Sequence, residues 1–316
     1  MNIIFYGSNE TSVKFLEHLI TKDTIAAVVT RQDKPSGRGL EMHSSPVKDF
    51  ARKKKLKLVE LDSLPSSNLD ADLGVAVAYG RILKKDIYSF PKNGTINVHF
   101  SLLPKYRGAS PMQWALINGE KTTGVTIFFI DEGLDTGKVI LQKEVIIEEN
   151  DDFISLQDKL VKEGVILLGE AVELINNKNF VAGEQTGTPT LAPPLKKSDG
   201  RIDWTKKTPA EICNLIKGTT PWPGAYTEMN VEENKLLKIL KASLIEPDID
   251  EAYSRDNASI PGEIVAVIRE KGFVVKCRNG FLLVENVQRQ NKRPSSAWAF
   301  WQGAHMKIGD RFSEIS

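Results

Sequence analysis

Three residues with complementary chemistry occur in the middle of the sequence. Asn97 and His99 belong to the segment 95–99, whose composition predicts a short strand, and Asp135 follows in a glycine-flanked turn. Because side chains alternate along a strand, Asn97 and His99 are expected on the same face. Open α/β sheets bind ligands at the carboxyl ends of their strands. We therefore expect an amide donor, an imidazole and a carboxylate to converge on one small polar group.

The elements that position these residues are typical of an α/β domain. Apolar runs at 2–6 and 25–30 flank a helical pattern, and this βαβ unit predicts the start of a parallel sheet. A helix is predicted to begin at Ser45–Pro46, because Ser is a good N-cap and Pro suits the first helical position. Further strands are predicted at 56–61, 73–78, 95–99 and 124–130, and a further helix at 153–175.

The first turn of this domain excludes one common function. It reads Gly7-Ser8-Asn9 and lacks the Gly-x-Gly-x-x-Gly fingerprint, and no Walker lysine motif occurs in the chain. The sequence therefore predicts a Rossmann-like, mostly parallel sheet that does not bind a dinucleotide, which argues against a dehydrogenase.

The composition changes after residue 182. Residues 183–204 are rich in Gly, Pro and Thr and predict a linker between a domain of residues 1–182 and a second domain of residues 205–316. The second domain begins with a helix-capping pattern at Thr208–Glu211. Strands are then predicted at 264–268, 273–277 and 281–287, the last two joined by a hairpin. This pattern predicts a small OB-like β-barrel.

Length, charge and cysteine content limit the class of protein. A chain of 316 residues is long enough for two domains. Its formal net charge of +1 excludes a general electrostatic attraction to nucleic acid, so RNA binding would need a local patch. Two cysteines without a pairing pattern favour a reducing compartment. Since we find no leader pattern and no membrane-length apolar run, we expect a cytoplasmic protein.

The motif around the three polar residues resembles that of a known family. The sequence Asn-Val-His-Phe-Ser-Leu-Leu-Pro at 97–104, followed by Asp-Thr-Gly at 135–137, resembles the folate-dependent formyltransferases. These enzymes move a formyl group from 10-formyltetrahydrofolate to an amine. The resemblance covers nearly the whole chain, and it implies that Asn97, His99 and Asp135 are the catalytic residues.

Each of the three residues has an expected role in formyl transfer. The carbonyl oxygen gains negative charge during attack, and we expect the Asn97 amide and a protonated His99 to donate hydrogen bonds to it. Asp135 would favour the imidazolium form of His99 and could accept the proton of the amine. The alternative for Asp135 is an ordinary turn position between two glycines.

The resemblance also implies a pocket for 10-formyltetrahydrofolate. One wall is expected from the motif itself, and a second from the segment that follows the strand at 73–78, although that segment could also be an ordinary strand-to-helix turn. The residues implied are Ser101, Leu102, Leu103, Pro104, Tyr79, Gly80 and Ile82. The other histidines show no ligand spacing with His99 or with the cysteines, so we expect no metal site.

The loop 33–39 bears on the identity of the acceptor. Its sequence, Asp-Lys-Pro-Ser-Gly-Arg-Gly, resembles the basic loop of the members that formylate methionyl-tRNA, and it implies that Lys34 and Arg38 contact tRNA. A loop of this composition is also common on protein surfaces. Phe128 departs from the purine-pathway members of the family, which carry a His at that position.

Two further basic segments could contact RNA. The segment 288–293 in the second domain supplies Arg289, Lys292 and Arg293, and the run 52–55 is either a second contact or a solvated helix end. We therefore expect a monomeric enzyme whose partners are initiator methionyl-tRNA and the folate co-substrate. The alternatives are a formyltransferase for a nucleotide-linked amino sugar and a non-catalytic tRNA- or folate-binding protein.

Overall fold

The computed structural model describes residues 1–36, 41–229, 235–245, 259–304 and 306–312. The chain forms two compact units. The first consists of Met1–Pro111, Lys121–Glu148 and Ser155–Pro193, and the second of Met112–Glu120, Glu149–Ile154 and Pro194–Ser316. The domain limits derived from the sequence, at residues 182 and 205, stay predictions. Among the described residues, no helix has the length and apolarity that crossing a membrane requires.

The first unit is built around a six-stranded sheet. Along the chain, the elements up to residue 176 are β1 (Asn2–Gly7), α1 (Glu10–Leu19), β2 (Thr24–Val29), β3 (Lys34–Ser36), β4 (Glu41–His43), α2 (Pro46–Lys53), β5 (Leu73–Val77), α3 (Lys85–Tyr88), β6 (Thr95–His99), α4 (Pro111–Ile117), β7 (Thr122–Phe129), β8 (Val139–Ile146) and α5 (Phe153–Asn176). Nearly all of α4 belongs to the second unit. The sheet has the order β2-β1-β5-β6-β7-β8. Its first four strands are parallel, and β7 and β8 are antiparallel to their neighbours. The predicted Rossmann-like, mostly parallel sheet is confirmed.

The helix predicted at Ser45–Pro46 is also confirmed. The Ser45 hydroxyl accepts a hydrogen bond from the backbone N–H of Lys48 at 3.0 Å, and Pro46 occupies the first turn of α2. Such a cap satisfies a backbone donor that the helix itself leaves unpaired.

The strand predicted at 56–61 is wrong. Only a single parallel bridge forms there, between Leu58 and Val28 of β2, and the chain enters a 3-10 helix at Leu61–Ser63. The alternating apolar residues produced the strand pattern, but the chain leaves the sheet edge after this bridge. Sequence analysis also missed the edge strand β8 and the short β3–β4 hairpin.

The second unit contains an antiparallel sheet. Its elements from residue 209 onward are α6 (Pro209–Thr219), β9 (Ala225–Met229), β10 (Lys235–Leu244), β11 (Ile264–Ile268), β12 (Gly272–Lys276), β13 (Phe281–Arg289), β14 (Ser295–Ser296) and α7 (Ala297–Gly303). The strand order is β11-β12-β13-β10-β9, and β14 pairs with β13. Residues 311 and 312 join the two edges, because Phe312 bridges Met229 and Arg311 bridges Glu263. The predicted small β-barrel is confirmed.

Strand β10 shows why sequence analysis found only part of the barrel. Leu236, Leu237 and Leu240 follow a helical spacing, yet the segment pairs with both β9 and β13. Leu237 and Ile239 are fully buried, as alternation along a strand requires. Pairing with distant strands therefore decides the conformation against the local pattern.

Candidate active site

Asn97 and His99 lie at the carboxyl end of β6. This strand has the predicted bounds, and in the antiparallel pairing Asn97 is opposite Phe128 and His99 is opposite Thr126. His99 is buried, whereas Asn97 is half-buried. The Asn97 side-chain amide makes no hydrogen bond with any residue that the structure describes. It is therefore available to a ligand.

Three groups surround the His99 imidazole. Nε2 donates a hydrogen bond to the carbonyl oxygen of Tyr106 at 2.9 Å, because a carbonyl oxygen can only accept. Nδ1 lies 3.7 Å from Oδ2 of Asp135. Phe128 packs edge-to-face against the ring, with the centroids 6.4 Å apart. The residue at which the sequence departs from part of the family that it resembles, Phe128, thus lies directly against the His99 ring.

The electrostatic surroundings of His99 bear on its expected role. Burial lowers the pKa of His99 below its ordinary value, although the charge of Asp135 and the hydrogen bond to Tyr106 act in the opposite direction. The lowered pKa favours the neutral ring in the protein without substrate, whereas the sequence predicts an imidazolium donor. In a neutral ring with its hydrogen on Nε2, Nδ1 carries a lone pair and faces Asp135.

The Asp135 carboxylate reaches across the site. Its Oδ2 accepts a hydrogen bond from the backbone N–H of Gly108 at 2.8 Å. The hydrogen bonds inside the turn are made instead by Asp131, whose Oδ1 accepts from the Gly133 N–H at 3.0 Å and from the Thr136 hydroxyl at 2.6 Å. Asp135 itself has a φ of +52°, in the left-handed region. Its side chain therefore connects two loops and does not serve the turn alone.

Two glycines in these loops allow close contacts with neighbouring backbone. A Cβ atom on Gly137 would lie 1.7 Å from the carbonyl oxygen of Phe129. Gly108 has a φ of +126°, and a Cβ there would lie 2.6 Å from the carbonyl oxygen of Ala192. Neither position accommodates a side chain without movement of the backbone.

The residues of the turn 101–104 are held by hydrogen bonds inside the protein. The Ser101 hydroxyl donates to the carbonyl oxygen of Lys105 at 2.6 Å. Thr126 Oγ1 accepts from the Leu103 N–H at 3.2 Å, and Gln142 Nε2 donates to the Leu103 carbonyl oxygen at 2.8 Å. Pro104 is buried and Leu102 is half-buried. Their backbone and hydroxyl groups thus fix the shape of the turn.

The segment after β5 lies next to this turn, because β5 and β6 are parallel neighbours. Tyr79 is buried and packs edge-to-face against Tyr6, with the ring centroids 6.0 Å apart. Gly80 has a φ of +78°, and Ile82 is 88% exposed. Ile82 therefore offers an exposed apolar side chain in the segment that follows β5.

Sequence analysis missed several residues that hold the site. Tyr106 and Gly108 contact His99 and Asp135 through backbone groups, which their residue types do not reveal. Gln142 and Gln185 hold the two loops with side-chain amides. The composition of the segment around Gln185 predicted only a linker, so the sequence contained no local signal for its role.

The predicted tRNA-binding cations have different surroundings. Lys34 belongs to β3, and its side chain and the whole of Arg38 lie outside the described residues. Arg289 is half-buried, and its guanidinium carbon lies 5.1 Å from the centre of the Phe300 ring. Lys292 and Arg293 are exposed after β13.

An α/β sheet with an amide and an imidazole at the end of one strand and a carboxylate in the turn after the next strand, followed by a β-barrel, corresponds to a known family of enzymes. The formyl transferase family model matches residues 1–172, and the model of the formyl transferase C-terminal domain matches residues 194–305. The chain belongs to the formyltransferase family.

Within that family, curated relatives match the full length of the chain. It is 39% identical to the methionyl-tRNA formyltransferase of Endomicrobium trichonymphae, over 99% of this chain and 100% of that protein. It is 40% identical to the methionyl-tRNA formyltransferase of Thermodesulfovibrio yellowstonii, over 98% and 99%. The N-formyltransferase of Helicobacter canadensis, solved with folinic acid and dTDP-3-aminofucose, has the same fold, with a TM-score of 0.67 at 22% identity over 92% and 100%.

Proposed function

We propose that this chain transfers the formyl group of 10-formyltetrahydrofolate to the amino group of initiator methionyl-tRNA. The observation that carries the proposal is the arrangement of Asn97, His99 and Asp135 at the end of β6. It occurs in a chain whose full-length relatives, at about 40% identity, are named methionyl-tRNA formyltransferases. This function would place the protein in the cytoplasm, where tRNA is used, and we expect it to act as a monomer.

Asn97 stabilises the charge that develops during the reaction. Attack of the amine on the formyl carbon places negative charge on the carbonyl oxygen. The free Asn97 amide, half-buried at the end of β6, supplies a fixed N–H donor for that oxygen. A donor of this kind typically contributes about 3 kcal/mol to the stability of the transition state.

His99 carries the proton. The attacking amine loses one proton, and the nitrogen that leaves the formyl group gains one. Neutral His99 accepts the first proton on Nδ1, and Asp135, 3.7 Å away, stabilises the imidazolium that results. The same Nδ1–H then donates the proton to the leaving nitrogen, so the ring returns to its starting state. The bond to Tyr106 keeps the ring orientation constant throughout.

The folate co-substrate supplies the formyl group, and residues beside β5 and β6 fit its binding. Ile82 exposes an apolar side chain where a ring system could pack, and Tyr79 and Gly80 shape that segment. The turn of Ser101, Leu102, Leu103 and Pro104 forms the second wall, with Leu102 as its half-buried member. We assign these residues to the folate pocket.

We assign binding of the tRNA acceptor to cations of the loop 33–39 and of the segment 288–293. Lys34 and Arg38 belong to the loop that resembles the tRNA-binding loop of the family. In the barrel, Lys292 and Arg293 are exposed and can meet phosphates, whereas Arg289 packs on Phe300 and fixes the base of the same segment.

One assay tests the proposed function. Purified protein and 10-formyltetrahydrofolate are offered methionyl initiator tRNA, methionyl elongator tRNA, free methionine and a dTDP-linked amino sugar in parallel. We expect formylation of the initiator tRNA and a much lower kcat/KM for the other acceptors. Preferred formylation of the amino sugar would replace the proposed acceptor, and transfer to none of the four would refute the proposed function.

A further inference from the structure

The side-chain amide of Gln185 is bonded to the loops on both sides of the active site. Its Nε2 donates to the carbonyl oxygens of Asp135 at 2.8 Å and Gly137 at 2.9 Å. Its Oε1 accepts from Nε of Arg107 at 3.2 Å and from Nη2 at 2.7 Å. We propose that Gln185, anchored by Arg107, is a positioning residue that holds the Asp135 turn against the loop that carries Tyr106 and Gly108. This proposal rests on the proposed function.

The turn bound by Gln185 has an uncommon and closely packed backbone. Asp135 has a left-handed φ of +52°, which is uncommon outside glycine although aspartate adopts it more often than most residues. Gly137 lies so close to Phe129 that a Cβ would not fit. Asp131 holds one side of this turn from within. Gln185 holds the other side, through the carbonyl groups of Asp135 and Gly137. The carbonyl of Asp135 and its side chain share one Cα atom, so fixing the carbonyl restricts the direction of the carboxylate.

The anchor of Gln185 lies between the two backbone groups that contact the catalytic side chains. Arg107 follows Tyr106, whose carbonyl oxygen accepts from His99, and precedes Gly108, whose N–H donates to Asp135. Three consecutive residues therefore connect the imidazole, the carboxylate and Gln185. A displacement of the Asp135 turn relative to this tripeptide would change the separation of 3.7 Å between His99 and Asp135.

The segment that carries Gln185 has attachments of its own. Thr190 accepts from the Tyr106 N–H through its hydroxyl and from the Arg107 N–H through its carbonyl oxygen, both at 2.8 Å. The Ala192 N–H donates to the Arg107 carbonyl oxygen at 2.7 Å. Loss of the Gln185 amide alone therefore leaves the segment in place, and its effect should be limited to the position of the Asp135 turn.

A second glutamine provides a matched control. Gln142 also donates from Nε2 to two acceptors, the Leu103 carbonyl oxygen at 2.8 Å and Thr126 Oγ1 at 2.9 Å. It therefore holds the turn assigned to folate and not the turn of Asp135. Changes at the two glutamines remove similar bonds from different halves of the site, so they should alter different kinetic constants.

The experiment measures kcat, the KM for the folate co-substrate and Tm for the wild-type protein, Gln185→Ala, Gln185→Glu and Gln142→Ala. We expect Gln185→Ala to lose about 10- to 100-fold in kcat, the scale of a small misplacement, with little change in KM. In Gln185→Glu, one carboxylate oxygen can still accept from Arg107, but the other faces the carbonyl oxygens of Asp135 and Gly137 and cannot donate to them. We therefore expect its kcat to be as low as that of Gln185→Ala. Gln142→Ala should mainly raise KM.

Each outcome decides between the alternatives. Wild-type kcat in folded Gln185→Ala, or a rise in KM equal to that of Gln142→Ala, overturns the positioning role. If Gln185→Ala does not fold, Gln185→Glu provides the test, because its ion pair with Arg107 preserves the anchor. A wild-type kcat in Gln185→Glu then overturns the proposal. A wild-type protein that formylates no acceptor overturns the proposed function and this proposal with it. If the wild-type protein is active, the Gln185 variants test the positioning role separately from the proposed function.

Discussion

Nδ1 of His99 lies 3.7 Å from Oδ2 of Asp135, too far for a hydrogen bond but close enough for a strong electrostatic effect in a buried site. Burial lowers the pKa of His99, and the negative charge of Asp135 opposes part of that effect. In the mechanism that we propose, the pair accepts a proton during the reaction, when the carboxylate balances the charge on the imidazole.

His99→Gln should abolish most of the turnover. Glutamine keeps a polar side chain on β6 but cannot accept and return a proton at this position. We expect kcat to fall by at least about 100-fold, the lower range for general acid–base catalysis. The control is His18→Gln in α1, which should keep wild-type kcat. Near-normal turnover of folded His99→Gln would show that another group carries the proton.

The stability of the protein should fall in mild acid because of His99. Its pKa in the folded state is lowered, whereas the ordinary value is about 6.5. Between these two values the unfolded state binds more protons, so stability rises with pH. The contribution of neutral His99 is complete above about pH 6.5 and is lost as the pH falls towards the folded-state pKa.

The measurement is Tm between pH 5 and pH 7.5 in a His18→Gln background, because burial and Lys22 also lower the pKa of His18. The decrease in Tm at low pH should be smaller after the additional change His99→Gln. An identical decrease in both proteins would mean that His99 is not neutral in the folded state.

The placement of Asn97 and His99 on one strand was accessible from the sequence because it depends on local alternation. Asn97 and His99 are two residues apart in a strand of the predicted bounds, so their shared face needs no knowledge of distant contacts. The lowered pKa of His99 was not accessible, since it depends on how many other elements bury the ring. The hydrogen bond from Gln185 to Asp135, 50 positions earlier, was hidden for a similar reason, because only the folded chain brings the two residues together.

Asn97→Asp should reduce turnover more than folate binding. The change keeps the size of the side chain but replaces an N–H donor by negative charge facing the developing oxyanion. Loss of one such donor typically costs about 100- to 1000-fold in kcat. Turnover and the Kd for the folate co-substrate are measured separately, with Asn97→Ala for comparison. If Asn97→Asp changes only the Kd for the folate co-substrate and not kcat, Asn97 is a binding residue without a role in the chemical step.

Arg289→Ala and Lys292→Ala should have different effects. The guanidinium of Arg289 lies over Phe300, which is buried in the barrel core, and a cation–π contact of this kind contributes about 0.5–2 kcal/mol. Arg289→Ala should therefore lower Tm as well as tRNA affinity. Exposed Lys292 should affect only the KM for tRNA. Equal loss of Tm in both variants would contradict the assigned packing role of Arg289.

Arg38→Ala tests the assignment of the acceptor. Arg38 lies outside the described residues, and the prediction follows from the resemblance of the loop 33–39 to that of tRNA-binding members of the family. A cation that meets a phosphate or a base edge matters only when RNA is present. Its loss should lower kcat/KM for methionyl-tRNA by an amount equivalent to about 1–3 kcal/mol. If Arg38 contacts a phosphate, the slope of log affinity against log salt concentration should also become shallower by about one unit.

The Kd for the folate co-substrate, measured by calorimetry, should not change in Arg38→Ala, because the folate pocket is assigned to the segments after β5 and β6. Arg31→Ala is the matched control, since Arg31 is an exposed cation just before the loop. An acceptor such as a nucleotide-linked amino sugar would show neither the loss nor the change in salt dependence. If Arg38→Ala and Arg31→Ala formylate methionyl-tRNA equally at several salt concentrations, the loop does not contact tRNA, and the barrel cations would have to account for its binding.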